Sequence, residues 1–155
     1  MNIRSATVSD AAQICEVVRA SITQLCFADH MGDPDIIARW LANKTPENVS
    51  RWIANSQNIN LIAQSDEDVL AAGCVTVSGE VILNYVSPDA RFQGVSRAIL
   101  AELEAHARRH GNTHCRLDST TTAHRFYEDR GYLDRGAATF KFGLTTYPMI
   151  KSLAI

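Results

Sequence analysis

The hydrophobic period of this sequence changes abruptly at residue 59, and that change constrains the fold more than any other feature. Over residues 8–25 apolar side chains recur at helical spacing, and Asp33-Pro34 and Thr45-Pro46 each start a further helix. From residue 59 onward come three runs rich in β-branched residues, at 59–64, 69–77 and 80–86, separated by short turn sequences. Three neighbouring strands between helices predict an α/β fold.

The second half of the chain repeats this alternation. Apolar positions predict a long helix over residues 94–110, ended by Gly111, and a short helix over 122–130. Residues 115–118 read as a strand, and 136–149 as two more. The order of elements predicts a three-layer α/β/α domain with a mixed sheet. With 155 residues and no repeat or linker sequence, we expect residues 1–155 to form one domain.

Charge and composition exclude several classes of partner. The formal net charge is −2 and 21% of the residues are charged, so we expect no broad basic surface for nucleic acid or an anionic membrane. The apolar runs are far shorter than the ~18 residues that a membrane span requires. Four cysteines, at 15, 26, 74 and 115, lie in apolar stretches without C-x-x-C spacing, and no signal-peptide pattern precedes them. We therefore expect a cytoplasmic protein.

One segment, residues 84–97, carries the clearest chemistry. It is a strand that turns through a short loop directly into the long helix, whose first N–H groups have no acceptor within the helix. Gly94 lets a ligand approach the backbone, and Arg91 and Arg97 are placed to neutralise a diphosphate. Any strand-to-helix turn can contain a glycine and nearby arginines, so the segment alone leaves a purely structural interpretation open.

A second segment, residues 118–132, strengthens the functional interpretation. Together the two segments resemble the GNAT superfamily of N-acetyltransferases, and the resemblance covers nearly the whole chain. The pattern Arg/Gln-x-x-Gly-x-Gly/Ala is met by Arg91 and Gly94 and, imperfectly, by Ser96. The later pattern, Ala-x-x-Phe-Tyr-x-x-x-Gly-Tyr/Phe, is met at five positions: Ala123, Phe126, Tyr127, Gly131 and Tyr132.

This resemblance implies a GNAT-like sheet that is splayed at its centre and holds acetyl-CoA between the diverging strands. The pyrophosphate would lie on the turn at 91–97, and the pantetheine would bond main-chain groups of residues 84–86. The implied cofactor-binding residues are Asn84, Tyr85, Val86, Arg91, Phe92, Gln93, Gly94, Val95, Ser96, Arg97, Thr120 and Phe126. Ser96 and Thr120 depart from the usual family residues, which predicts weaker cofactor binding.

Two residues are the candidates for catalysis. Tyr127 matches the family position whose phenol protonates the departing thiolate. The alternative interpretation is that Tyr127 only packs beneath the helix and has no catalytic role. Glu80 precedes Arg91 by eleven residues, a spacing similar to that of the catalytic glutamate in some members. By strand alternation Glu80 shares a face with Asn84 and is our candidate general base. The alternative, which the position directly after the Ser78-Gly79 turn favours slightly, is a solvated residue without a catalytic role.

The acceptor site is less defined by the sequence. Asp29 and His30, on a loop between the first two helices, and Asp118 are candidate substrate-binding residues and rival bases. His106 and His110 have a metal-compatible spacing but no carboxylate-rich partner motif, so we expect no metal.

The sequence therefore predicts an enzyme that transfers an acetyl group from acetyl-CoA to a primary amine of a small molecule or peptide by direct attack. The alternative is a non-catalytic acyl-CoA sensor or interaction module with the same fold, which the departures at Ser96 and Thr120 favour. An exposed C-terminal strand is also compatible with a homodimer.

Overall fold

Two antiparallel sheets form the framework of the protein, and the computed structural model describes residues 1–153. The strands are β1 Asn2–Ser5, β2 Asn58–Ser65, β3 Asp68–Thr76, β4 Val81–Val86, β5 His114–Ser119, β6 Leu133–Asp134, β7 Thr139–Lys141 and β8 Leu144–Ser152. The helices are α1 Ala11–Leu25, α2 Phe27–His30, α3 Pro34–Leu41, α4 Pro46–Ala54, α5 Val95–Arg109 and α6 His124–Asp129. Single 3₁₀ turns at Val8–Asp10 and Pro88–Ala90 precede α1 and α5.

The first sheet has the order β1-β2-β3-β4, and the second has the order β5-β8-β6 with β7 paired to β8. The two sheets meet at one point, where Glu80 forms a parallel bridge with Arg116 and the Arg116 N–H donates to the carbonyl of Gly79 at 2.9 Å. Within residues 1–153 no ladder continues past this bridge, so β4 and β5 lie side by side at their N-terminal ends and then separate. This is the predicted splay of the sheet.

A β-bulge in β4 contributes to the separation. Leu83 is paired with Cys74 and Val81 with Val75, which leaves Ile82 without a partner on β3. A bulge bends its strand and increases the local twist. As a consequence β4 turns away from the line of β5 just beyond the point where the two strands meet.

Helices cover both faces of the first sheet and complete the three layers. On one face, Ile99, Leu100 and Leu103 of α5 are buried in a core shared with β3 and the second sheet. On the other face, Ile14 and Val18 of α1 are buried in a second cluster together with α4 residues. α1 and α5 therefore lie on opposite faces of the first sheet.

The helix-start signals in the sequence are confirmed. The Thr7 N–H donates to the Asp10 carboxylate at 2.7 Å, the reciprocal bond of a capping box. Asp33 and Thr45 cap α3 and α4 by accepting bonds from main-chain N–H groups of the first turns, and each is followed by a proline.

One local prediction was wrong, and one strand was not predicted. The segment around Asp29 and His30, which we expected to be a loop, forms the one-turn helix α2; a single turn has no periodicity that a sequence could show. The two strands predicted over residues 136–149 are β7 and β8, whereas β6 was missed, since its two residues are exposed and form a strand only through pairing with β8.

No helix among residues 1–153 combines the length and the apolar character needed to cross a membrane.

Candidate functional site

A cavity of about 340 Å³ opens where β4 and β5 separate. Its walls come from β4, the turn and first residues of α5, the end of β5 with the start of α6, and the C-terminal end of α1. The splay therefore produces a cleft that reaches into the middle of the sheet. Clefts of this size are typical of small-molecule sites.

One wall of the cavity is the open edge of β4. In the described chain this strand is paired only with β3, so its second edge faces the cavity from Val81 to Val86. Beside it, the side-chain oxygen Oδ1 of Asn84 is buried and has no hydrogen-bond partner among residues 1–153. A buried acceptor without a donor costs roughly 1–3 kcal/mol. The edge and the Asn84 amide thus favour a ligand that carries amide groups.

A second wall is the turn before α5. Gly94 has a φ of +77°, in the left-handed region, and a Cβ built there would contact nothing within 4 Å in the described structure. The glycine therefore serves the backbone conformation rather than a packing need. The first turn of α5 contains no acidic residue, and both Arg91 and Arg97 line the cavity. These features make the turn suitable for an anion.

Phe92, in the same turn, is also left-handed, with a φ of +65°. Its ring is 89% exposed and the guanidinium of Arg91 lies 4.4 Å from its centroid. A positive φ is strained for a bulky residue. Strained, exposed residues of this kind are concentrated at ligand-binding turns.

The third wall contains Tyr127. Its side chain is buried, and its hydroxyl oxygen accepts a hydrogen bond of 3.2 Å from Nδ2 of Asn84. Burial raises the pKa of Tyr127 to about 12, against a smaller lowering by the Asn84 bond. Because Asn84 occupies a lone pair of the phenol oxygen, the phenol proton remains available for donation into the cavity.

Of the twelve residues predicted to bind the cofactor, eleven line this cavity. The exception is Gln93, whose exposed side chain donates to the carbonyl of Asp89 at 3.4 Å. Thr120 reaches the cavity and also accepts a bond of 3.1 Å from the Ala123 N–H, which fixes the start of α6. Ser96, the other departure from the family pattern, lies in the cavity wall as well.

Glu80 does not line this cavity. It is exposed and lies beside Arg116 at the closed end of the splay. The bulge at Ile82 interrupts the alternation by which Glu80 would share a face with Asn84. Among the described residues that line the cavity, Asp118 is the one that carries a carboxylate. This position favours Asp118 over Glu80 as a general base, and both roles stay predictions.

Asp29 and His30 are directed into the protein. The Asp29 carboxylate accepts bonds from the N–H groups of Thr121 and Thr122, at 2.7 and 3.1 Å, and from the Thr122 hydroxyl. The His30 ring is bonded to the carbonyl of Ile22. Neither side chain lines the cavity, so these contacts favour a structural role, namely fixing α2 against the loop before α6.

The residues of the cavity wall that sequence reasoning missed include a group at the end of α1, namely Ser21, Leu25 and Cys26. Burial raises the pKa of the Cys26 thiol to about 12. The helical spacing of Ser21 and Leu25 places them on one face, but only the packing of α1 shows that this face reaches the cavity.

Comparison with known protein families identifies the family to which this chain belongs. The family model described as the acetyltransferase (GNAT) domain matches residues 27–153. The chain is a member of the GNAT acetyltransferase family. The match includes both segments from which the resemblance was inferred, and the fold prediction is confirmed.

Solved structures share this GNAT fold. An N-acetyltransferase from Rhodopseudomonas palustris is 23% identical with a TM-score of 0.87, covering 98% of this chain and 95% of its own. The PaiA N-acetyltransferase of Thermoplasma acidophilum, in complex with coenzyme A, is 20% identical with a TM-score of 0.82, covering 97% and 98%. The ribosomal-protein-alanine N-acetyltransferase of Brucella melitensis is 22% identical with a TM-score of 0.77, covering 99% and 100%. At these identities the likeness concerns the fold, and a search of curated proteins gave no match.

Proposed function

We propose that this GNAT domain is an N-acetyltransferase that uses acetyl-CoA to acetylate a primary amine of a small molecule or peptide. The observation that carries the proposal is the contact between Asn84 and Tyr127, which places a buried phenol beside an open strand edge in the cavity. The complex of the Thermoplasma relative with coenzyme A supports this choice of cofactor.

The residues of the cavity fit acetyl-CoA. Main-chain N–H groups at the start of α5, with Arg91 and Arg97, suit a pyrophosphate. The open edge at residues 84–86 and the unpaired Oδ1 of Asn84 suit the amide groups of a pantetheine arm. Acetyl-CoA, when bound, supplies an acyl group that is activated as a thioester.

Within this proposal the chain contributes alignment and proton transfer. The Tyr127 hydroxyl holds a proton that burial keeps in place at neutral pH and delivers it to the departing sulfur. The Asp118 carboxylate accepts the proton that an ammonium acceptor must lose. Main-chain N–H groups on the edge of β4 polarise the reacting carbonyl. No step requires a nucleophilic cysteine, and Cys26 is held as a thiol by its raised pKa.

We also propose that residues 1–155 act as one domain. We propose that this domain is located in the cytoplasm, because all four cysteines are buried and free and a reducing compartment keeps thiols in this state. A homodimer stays a prediction.

The test is release of free thiol from acetyl-CoA in the presence of a panel of amines, with calorimetry of coenzyme A binding on the same protein. Amine-dependent release supports the enzyme. Binding of acetyl-CoA without release by any amine would support the sensor alternative, and absence of binding would contradict both. Tyr147→Phe is the matched control for Tyr127→Phe, because it removes a phenol that does not line the cavity.

A further inference from the structure

A second cavity, of about 180 Å³, lies between β4 and α4 with the loop that precedes α4. Three residues of β4, namely Ile82, Leu83 and Tyr85, line both cavities. The second cavity therefore adjoins the site described above along β4. The proposed acetyl transfer makes no use of this second cavity.

Lys44 is the charged residue of the second cavity, and its backbone is firmly fixed. The Lys44 carbonyl accepts bonds from the thiol of Cys15 at 3.2 Å and from the guanidinium of Arg19 at 2.9 Å. The Lys44 N–H donates to the carbonyl of Leu41 at 2.9 Å. The position of the side chain at the cavity therefore follows from a loop that has little freedom to move.

The ammonium of Lys44 lacks a counter-ion. Its Nζ donates a bond of 2.6 Å to Oδ1 of Asn43, and within residues 1–153 no carboxylate lies within ion-pair distance. The side chain is only partly exposed, and burial lowers the pKa of Lys44. Lysines on a surface loop usually extend their ammonium into water, and buried ones are almost always paired. An anion in the cavity would supply the missing counter-ion.

The other residues of the cavity define which anion fits. The amides of Asn43 and Asn60 supply neutral hydrogen-bonding groups, whereas Trp52 and Leu83 supply apolar surface. A single ammonium matches one negative charge, and a phosphate dianion would need more. The volume corresponds to about six water molecules at ~30 Å³ each, which is room for a short organic acid.

We propose that the second cavity binds a small organic carboxylate, with the ammonium of Lys44 as its counter-ion. The carboxylate belongs either to the amine acceptor, reaching along β4 from the first cavity, or to a separate effector molecule. Both sources share the same recognition chemistry, and turnover distinguishes them.

The test is calorimetry on the full chain without acetyl-CoA, using isosteric pairs that differ in charge: isovalerate with isovaleramide, and valine with valinamide. The expected result is that at least one acid binds about tenfold or more tightly than its amide. Lys44→Met should weaken that binding by about tenfold or more, and Lys44→Arg should retain part of it. Lys141→Met is the matched control, because it removes the same charge from an exposed position and should leave binding unchanged.

The melting temperature of the unliganded variants gives a readout that a structural lysine would not give. Lys44→Met should raise the melting temperature, because it removes a poorly solvated charge and keeps a side chain of similar length. Equal binding of acid and amide, unchanged binding by Lys44→Met, or no binding of either acid at about 10 mM would overturn the proposal.

A final arm adds acetyl-CoA. If valine is consumed with release of thiol, the carboxylate site belongs to the acceptor; if an acid binds and is not consumed, it belongs to an effector. Because binding is measured without acetyl-CoA, failure of the proposed acetyl transfer would leave the test of this cavity intact.

Discussion

Replacing Gly79 by alanine should disturb the point where the two sheets meet. Gly79 is buried with a φ of +91°, and a Cβ there would lie 2.7 Å from the carbonyl oxygen of His114. The left-handed conformation costs an L-residue roughly 1–2 kcal/mol, and overpacking adds roughly 1–3 kcal/mol. Alanine also restricts the unfolded chain more than glycine does, and this offsets about 0.4–1 kcal/mol of the lost stability. The net loss of unfolding free energy should be about 1–4.5 kcal/mol.

Gly111→Ala is the matched control. Gly111 has a φ of +87°, and a Cβ there would contact nothing within 4 Å in the described structure. It shares the conformational cost without the contact, so its loss should be about 1 kcal/mol or less. The difference between the two variants isolates the clash between β4 and β5.

Urea unfolding measures both variants. With an m-value of about 2 kcal/mol/M, Gly79→Ala should lower the midpoint by about 0.5–2.3 M, and in any case by more than Gly111→Ala, which should lower it by at most about 0.5 M. Because the Gly79 carbonyl accepts the bond from Arg116 at the closed end of the splay, Gly79→Ala should also weaken acetyl-CoA binding. Equal midpoints for the two variants would refute the reasoning that this close approach sets the geometry of the cavity.

Three further predictions concern other parts of the chain. Tyr127→Phe should lower kcat much more than acetyl-CoA affinity, and because the pKa of Tyr127 is about 12, wild-type turnover should not fall from loss of its proton below about pH 11; unchanged kcat would remove its acid role. Asp10→Asn should cost about 1 kcal/mol at pH 7, because the ion pair with Arg4 lowers the pKa of Asp10 from 3.8 to about 2. The stability that this ion pair contributes is present above pH 3.8 and is lost as the pH falls through about 2. If urea titrations gave the same cost of Asp10→Asn at pH 7 and at about pH 2, the result would contradict the assignment. Asp29→Ala should cost about 2–4 kcal/mol, because it leaves two main-chain N–H groups without acceptors, and a loss below 0.5 kcal/mol by thermal unfolding would show that water replaces the carboxylate.

The elements of the fold were largely predictable because their signals are local. The capping residues Asp33 and Thr45, the β-branched runs before Asn84 and the glycine that starts α5 each act within a few residues of their own position. The short elements were not predictable, because α2 is a single turn without periodicity and β6 exists only through its pairing with β8.

The candidate site was predictable where the chain itself brings residues together. The turn from β4 into α5 is continuous in sequence, so its cavity-facing residues could be named in advance. The assignments that depend on distant packing fared differently. Glu80 satisfied strand alternation, but the bulge at Ile82 and the bridge to Arg116 place it outside the cavity, and Asp118 lines it instead.

By itself, the sequence determined the order of the longer strands and helices, the turn that suits an anion, and the phenol at Tyr127, since these follow from local conformation and from residue types in a fixed pattern. Only the tertiary structure decided where β4 and β5 separate, which carboxylate reaches the cavity, and that Lys44, which has no counter-ion among residues 1–153, lines a second cavity. Burial, pairing and desolvation depend on what the rest of the chain places nearby, and no local pattern encodes them.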